Sequence, residues 1–170
     1  MSLLDIAKKR FSVRKYADRS VEKEKLDKIL EAAHVAPTAA NLQPVRLYVV
    51  QTRKGLEKVG KAANVYGAPI AIVVCADKSK AWRRPFDGMI TTDIDASIVT
   101  DHMMLEATEQ GLGSVWICYF KPDVLKKELE LPDNLEPVNI LAVGYREEPE
   151  PDADRHDTQR LPVDKLVTYL

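Results

Sequence analysis

Arg10, Ser12 and Arg14 alternate with Phe11 and Val13. In an extended backbone, side chains two residues apart share a face. That spacing would set two guanidinium groups and a hydroxyl on one side and two apolar side chains on the other. Guanidinium forks hold phosphate or carboxylate oxygens in bidentate fashion, so this face suits one small anionic ligand. Taken alone, the same residues equally describe a solvated basic loop. Charge is unevenly placed around them. Residues 1–19 carry six basic side chains and two acids, whereas residues 147–157 carry six acids and Arg155 as the one fixed cation. Over the whole chain 25 Lys+Arg meet 26 Asp+Glu, a net charge of -1. Such a balance argues against nucleic acid or an anionic membrane as a partner.

Other chemistries have less behind them. Gly111-Leu112-Gly113 has the order helix, glycines, strand, the reverse of a dinucleotide fingerprint, and reads as a helix stop. No Gly-Lys-Ser/Thr phosphate loop occurs. His34, His102 and His156 lie far apart, outside any Cys/His cluster, so no metal site is expected. No Gly-x-Ser-x-Gly elbow supports a Ser-His-Asp triad. Asp93, Asp95 and Asp101 read as a helix N-terminal charge and a solvated helix face. Cys75 and Cys118 sit in apolar strand-like runs, which predicts two buried free thiols.

The elements that must position the basic face follow from pattern. A length of 170 residues, 45% apolar and 30% charged, describes one domain spanning 1–170. Ser2 and Asp5 have capping-box spacing for a helix ending near Arg10. Ser20 is the expected N-cap of a second helix, whose Leu26, Ile29, Leu30 and Ala33 recur at helical spacing and which Pro37 ends. Residues 36–44 form an ordered, Pro-bounded loop before a strand over Val45–Val50. Thr52 caps a short helix, and Ile70 to Cys75 is a central strand. Residues 78–89 form a loop with a turn at Asp87-Gly88. A long helix runs from Thr92 to Gln110. It is apolar around much of its circumference and therefore buried on several sides, one of which a second subunit could supply. A strand over Val115–Phe120, a helix from Pro122 to Leu129 and a strand over Val138–Tyr145 follow. A solvated acidic loop, Glu147 to Asp157, then leads to a short C-terminal arm. Helices and strands mix without strict βαβ alternation, which favours an α+β class. No apolar run reaches the roughly 18 residues of a membrane span. The N-terminus lacks a signal-peptide pattern, so a cytoplasmic protein is expected.

Three separated segments carry a resemblance. Arg10-Phe11-Ser12-Val13-Arg14 precedes an amphipathic helix. Ala36-Pro37-Thr38-Ala39-Ala40-Asn41-Leu42-Gln43-Pro44 runs into a strand. Gly111-Leu112-Gly113-Ser114-Val115-Trp116-Ile117 and a terminal Arg160-Leu161-Pro162 come later. Their order and spacing resemble the nitroreductase-like FMN flavoproteins over nearly the whole chain. The resemblance implies a mixed, mainly antiparallel sheet flanked by helices in an intertwined homodimer, with FMN between the subunits. Arg10 and Ser12 match positions at the FMN phosphate and ribityl end, with Phe11 among the contacts. Arg14 matches a cationic position near the flavin N1/O2 edge, and Arg160 a C-terminal phosphate-binding arginine. Pro37, Thr38, Ala39, Asn41 and Gln43 match the wall contributed by the partner subunit, Thr38 and Ala39 standing where serines are frequent. Trp116, Ile117 and Cys118 match the strand end over the isoalloxazine. There backbone N–H groups reach the N5/O4 edge, and Cys118 replaces a frequent glycine. Asn64 corresponds to a polar flavin contact. Thr158 replaces a second cation often found near Arg160, and the region between Asp77 and Thr92 is shorter than in larger members.

The resemblance thus implies an FMN-dependent oxidoreductase. It would pass electrons from NADH or NADPH to a small conjugated acceptor such as a nitroaromatic or quinone. The flavin carries the chemistry and no side chain is needed as nucleophile or base. The competing readings are a non-enzymatic FMN store or sensor and, more distantly, a cofactor-free interaction domain.

Overall fold

The computed structural model describes residues 2–152 and 154–170; Met1 and Ala153 lie outside the described residues. Among the described residues, four strands make one antiparallel sheet. They are β1 (Val45–Val50), β2 (Ile70–Asp77), β3 (Gly113–Ile117) and β4 (Leu135–Gly144), in the spatial order β1-β2-β4-β3. The helices are α1 (Leu3–Lys9), α2 (Lys23–Val35), α3 (Arg53–Gly60), α4 (Thr92–Glu109), α5 (Pro122–Leu129), α6 (Arg155–Thr158) and α7 (Val163–Leu166). A single 3-10 turn covers Ala39–Asn41. This is the α+β class that the sequence pattern predicts.

Every residue of β2 is buried, and its side chains feed two cores. Ala71, Val73 and Cys75 join Val115, Ile117, Ile140 and Ala142 on one face. Ile70, Ile72 and Val74 join Leu141 and Val143 on the other. Strand side chains alternate between faces. With both faces covered, the run reads as continuously apolar rather than alternating. The first face is closed by α3 and α5 through Val59 and Leu125. The second is closed by α2 and α4 through Ile29, Val99 and Met103. Pro137 sits where the β2–β4 register shifts, between the pairs Val74–Asn139 and Cys75–Pro137. A residue without an N–H is tolerated at such a bulge.

Local signals set most boundaries. The Ser2–Asp5 capping box forms, and Thr52 accepts a hydrogen bond from the Gly55 N–H at the start of α3. Gly111 ends α4 at φ +74°, with Leu112 N–H donating to the Ala107 carbonyl at 2.8 Å, a left-handed helix stop. Three expectations need correction. Ser20 does not cap α2: Glu22 occupies that position, its carboxylate accepting from the Tyr145 hydroxyl at 2.6 Å and from Arg19 at 2.9 Å. β3 ends at Ile117 rather than Phe120, because its partner β4 pairs no further than Ile140 against it. Cys118 therefore falls past the ladder and is exposed rather than buried. As to α4, it buries Ala96, Val99, Met103 and Ala107, yet Ile94, Ile98 and Leu105 stay wholly or partly uncovered by the rest of the chain.

Gly113 at the start of β3 permits a close approach. A Cβ there would lie 2.6 Å from Val13 Cγ2 and 3.1 Å from its Cγ1. Val13 is buried, and a β-branched side chain cannot turn away at χ1. Gly113→Ala is expected to lower unfolding stability by about 1–3 kcal/mol through overpacking. Urea denaturation with an unchanged midpoint would contradict the contact.

Candidate functional site

The basic segment leaves α1 at Arg10, whose N–H still donates to the Ile6 carbonyl at 2.9 Å. It then runs extended beside the edge of β3. Ser12 bridges Ser114 in parallel, and Val13 N–H donates to the Ser114 carbonyl at 2.9 Å. On its other side lies the chain leaving β4: Ala17 N–H donates to the Tyr145 carbonyl at 2.8 Å and Glu147 N–H to the Lys15 carbonyl at 3.0 Å. Val13 and Tyr16 turn into the core, Phe11 packs against it, and Arg14 is exposed. The segment is extended from Arg10 onward, as the alternation predicts, but Phe11 and Val13 line the same pocket as Arg10, while Arg14 stands beside Tyr66.

Arg10 is half-buried and lies close to Arg160 and Arg155. Burial holds its guanidinium below the ordinary arginine range. Arg160 and Arg155 press the same way, and Asp101 opposes them. Like charges gathered at a partly buried point favour a bound anion. Beside Arg10 is a 60 Å³ pocket that Thr108, Gly113 and Ser114 also line. Ser114 is 2% exposed and its hydroxyl has no hydrogen-bond partner. Trp116 Nε1, two residues on, is likewise buried and unpartnered.

Four residues of extended chain, about 13 Å, separate Arg10 from Arg14. The Arg14 guanidinium lies 6.0 Å from the centre of the Tyr66 ring. Tyr66 in turn lines a 360 Å³ cavity with Asn64, Ile117, Tyr119 and Phe120. Its backbone is left-handed, φ +58°, and its N–H donates to Asn64 Oδ1 at 2.8 Å. A bulky residue in that region is held there by its surroundings. Tyr66 is a site residue that the sequence reading passes over; Asn64 two positions earlier, with its turn-forming side chain, was the available signal. Cys118 follows Ile117 at this end and is exposed. Cys75, by contrast, is buried in the sheet, where burial pushes its thiol up to about 12, with Glu136 adding to the effect.

The loop over residues 36–44 lies elsewhere. Pro37, Asn41 and Gln43 are exposed, Thr38 and Ala39 half-buried. Ala40, Asn41 and Gln43 all take left-handed backbone, φ 51–54°. Thr38 Oγ1 closes the turn by accepting from the Gln43 N–H at 3.1 Å. Asp95 anchors it: fully buried on the first turns of α4, it accepts from the Ala39 N–H at 2.8 Å and the Thr91 hydroxyl at 2.9 Å. The reading of Asp95 as a helix-end or solvated-face charge is thus corrected. Its carboxylate is consumed by the loop because neither partner has another acceptor as close. From Asp95 to Thr108, beside Arg10, α4 rises about 20 Å. Within one chain the arginines and the loop therefore stand toward opposite ends of α4.

The acidic segment also departs from expectation. It does not form a free solvated loop. The Glu148 carboxylate accepts from the backbone N–H of Arg14 and, at 3.2 Å, of Lys15. Glu147 pairs with Lys15 at 3.1 Å, and Arg146 pairs with Glu150. The acids are drawn back onto the basic segment that sequence distance had separated from them.

A model of the Nitroreductase family matches residues 7–64 and 57–145. The chain belongs to that family. A nitroreductase family protein of Clostridium difficile 630, of known crystal structure, is 57% identical and superimposes with a TM-score of 0.97 over 99% of this chain and 98% of that one. An FMN-dependent nitroreductase of Clostridium difficile R20291 is 33% identical with a TM-score of 0.76, over 94% and 97% of the two chains. The FMN reductase (NAD(P)H) of Bacillus subtilis strain 168 is 30% identical over 94% of this chain and 71% of its own length.

Asp95→Ala leaves the Ala39 N–H without an acceptor and the Thr91 hydroxyl with the longer bond to the Trp82 carbonyl at 3.3 Å, at a cost of about 1–3 kcal/mol in stability. Amide exchange at Ala39 should accelerate with it. Exchange at the unmutated rate would show that Asp95 does not hold the loop.

Proposed function

We propose that this chain is an FMN-dependent oxidoreductase of the cytoplasm, passing electrons from NADH or NADPH to a small conjugated acceptor such as a nitroaromatic or quinone. The observation that carries the reading is the cation line. It begins at the cluster of Arg10, Arg160 and Arg155 and reaches through Arg14 to the aromatic-walled cavity of Tyr66, Tyr119 and Phe120. An anionic end and a planar end at such a spacing suit a flavin mononucleotide. The unpartnered Ser114 hydroxyl beside Arg10 adds a donor where a phosphate would need one.

When bound, FMN supplies the hydride chemistry. Arg10 and Arg160 would hold the phosphate by charge-assisted hydrogen bonds, and Phe11 and Ser12 would border the ribityl chain. Arg14 would offer positive charge to the N1/O2 edge, where it would stabilise negative charge on the ring. Backbone N–H groups over Trp116, Ile117 and Cys118 would donate to the N5/O4 edge, and the apolar lining of the cavity, with Tyr66, Ile117 and Phe120, would exclude water.

Pro37, Thr38, Ala39, Asn41 and Gln43 would come from a second subunit. Three observations support an intertwined homodimer. The loop and the arginines stand toward opposite ends of α4 in one chain. The Ile94, Ile98 and Leu105 stripe lacks cover within the chain. The C-terminal arm exposes Leu161, Val163, Leu166 and Tyr169.

The test of function is anaerobic titration of FMN-loaded protein with each nicotinamide, followed by addition of acceptors. Bleaching by NADH or NADPH and re-oxidation by a quinone or nitroaromatic are expected. Loss of neither absorbance band would leave a flavin store instead. Arg10→Ala should weaken FMN binding by about 1.5–3 kcal/mol, the scale of a hydrogen bond to a charged group. Unchanged affinity in a fluorescence titration would remove Arg10 from the phosphate site.

A further inference from the structure

Residues 154–160 do not simply trail from the sheet. The Arg155 guanidinium donates to the carbonyls of Lys8 and, at 3.3 Å, Arg10, and on its own side to Asp152 at 3.1 Å. His156 Nε2 lies 2.9 Å from the same Lys8 carbonyl, which calls for an N–H on that nitrogen. These carbonyls lie at the end of α1, where the helix leaves its last acceptors unpaired and carries partial negative charge. A guanidinium fork suits two neighbouring carbonyls. One arginine thus joins the backbone of Arg10 to the short helix α6, two residues before Arg160.

We propose that Arg155 is a positioning residue for the phosphate end of the cofactor site: by tying α6 to the carbonyls of Lys8 and Arg10 it holds Arg160 beside Arg10. The inference rests on the FMN reading above. Its physical basis is the repulsion among the cations. Arg10 and Arg160 carry like charges and would separate in the empty protein unless something other than the ligand held them. Arg155 does so through backbone oxygens, adding its own positive charge without occupying either partner's guanidinium.

The experiment compares FMN with riboflavin, which lacks the phosphate, by flavin fluorescence quenching on the unmutated protein, Arg155→Ala and Arg155→Lys. For Arg155→Ala an FMN dissociation constant raised at least about tenfold is expected, with riboflavin affinity changed less than about twofold. Arg155→Lys, which keeps the charge and can still donate to carbonyls, should recover most of the loss. Two results would overturn the proposal. One is wild-type FMN affinity in Arg155→Ala. The other is an equal loss for both flavins, the signature of a tie that merely stabilises the fold. Failure of the unmutated protein to bind FMN would overturn the function proposed above and this inference with it. That outcome shows in the control, before any variant is read.

Discussion

The docking of Arg10–Tyr16 against the edge of β3 governs where the charge of this protein lies. Val13 fits only because Gly113 has no side chain, and its N–H pairs with the Ser114 carbonyl. Once Val13 is buried, the alternation of an extended chain turns Arg14 outward; beyond Arg14 the alternation breaks, with Lys15 also exposed and Tyr16 buried. Arg10 is then held between the end of α1 and the pocket at Ser114. The sheet buries apolar area on both faces, and that area provides the driving force of folding. The charged segment is carried into place at the sheet's edge by two apolar anchors.

Concentrating cations has an electrostatic cost that the fold meets locally. Glu148 places a carboxylate on the backbone of Arg14 and Lys15, Glu147 takes the Lys15 side chain, and Arg155 is spent on carbonyls. Arg10 and Arg160 are the cations assigned to the phosphate in the proposed function. The pairs on Lys15 are exposed, so each is worth little alone. Their effect is to keep the acidic segment against the basic one rather than to hold the fold together.

The same economy applies to the loop over residues 36–44. Three left-handed residues that are not glycine are unfavourable conformations, maintained by hydrogen bonds inside the turn and by Asp95 beneath it. A buried carboxylate needs partners, and the Ala39 N–H and Thr91 hydroxyl provide them. A loop so constrained in one chain, and so far along α4 from the arginines, is the surface that the proposed homodimer would offer to the other copy.

Much of this was legible in residue order. The capping box at Ser2, the Thr52 cap, the glycine stop after α4 and the apolar run of β2 are local signals, and local signals survive folding. The extended course of Arg10, Ser12 and Arg14 was legible in the same way, because the period of a strand is a property of the chain itself. Asp95, Tyr66, Glu148 and Arg155 were not legible in this way. Each owes its role to a neighbour dozens of residues distant: Asp95 to Ala39, Tyr66 to Arg14, Glu148 to Arg14, Arg155 to Lys8 and Arg10. Even the exposure of Cys118 depended on where β4 ceased to pair. The sequence by itself determined most of the helix, strand and turn segments, because their signals are local. Only the tertiary structure decided which charges meet, because long-range pairing depends on the packing of the sheet and helices, and no local pattern encodes that distance.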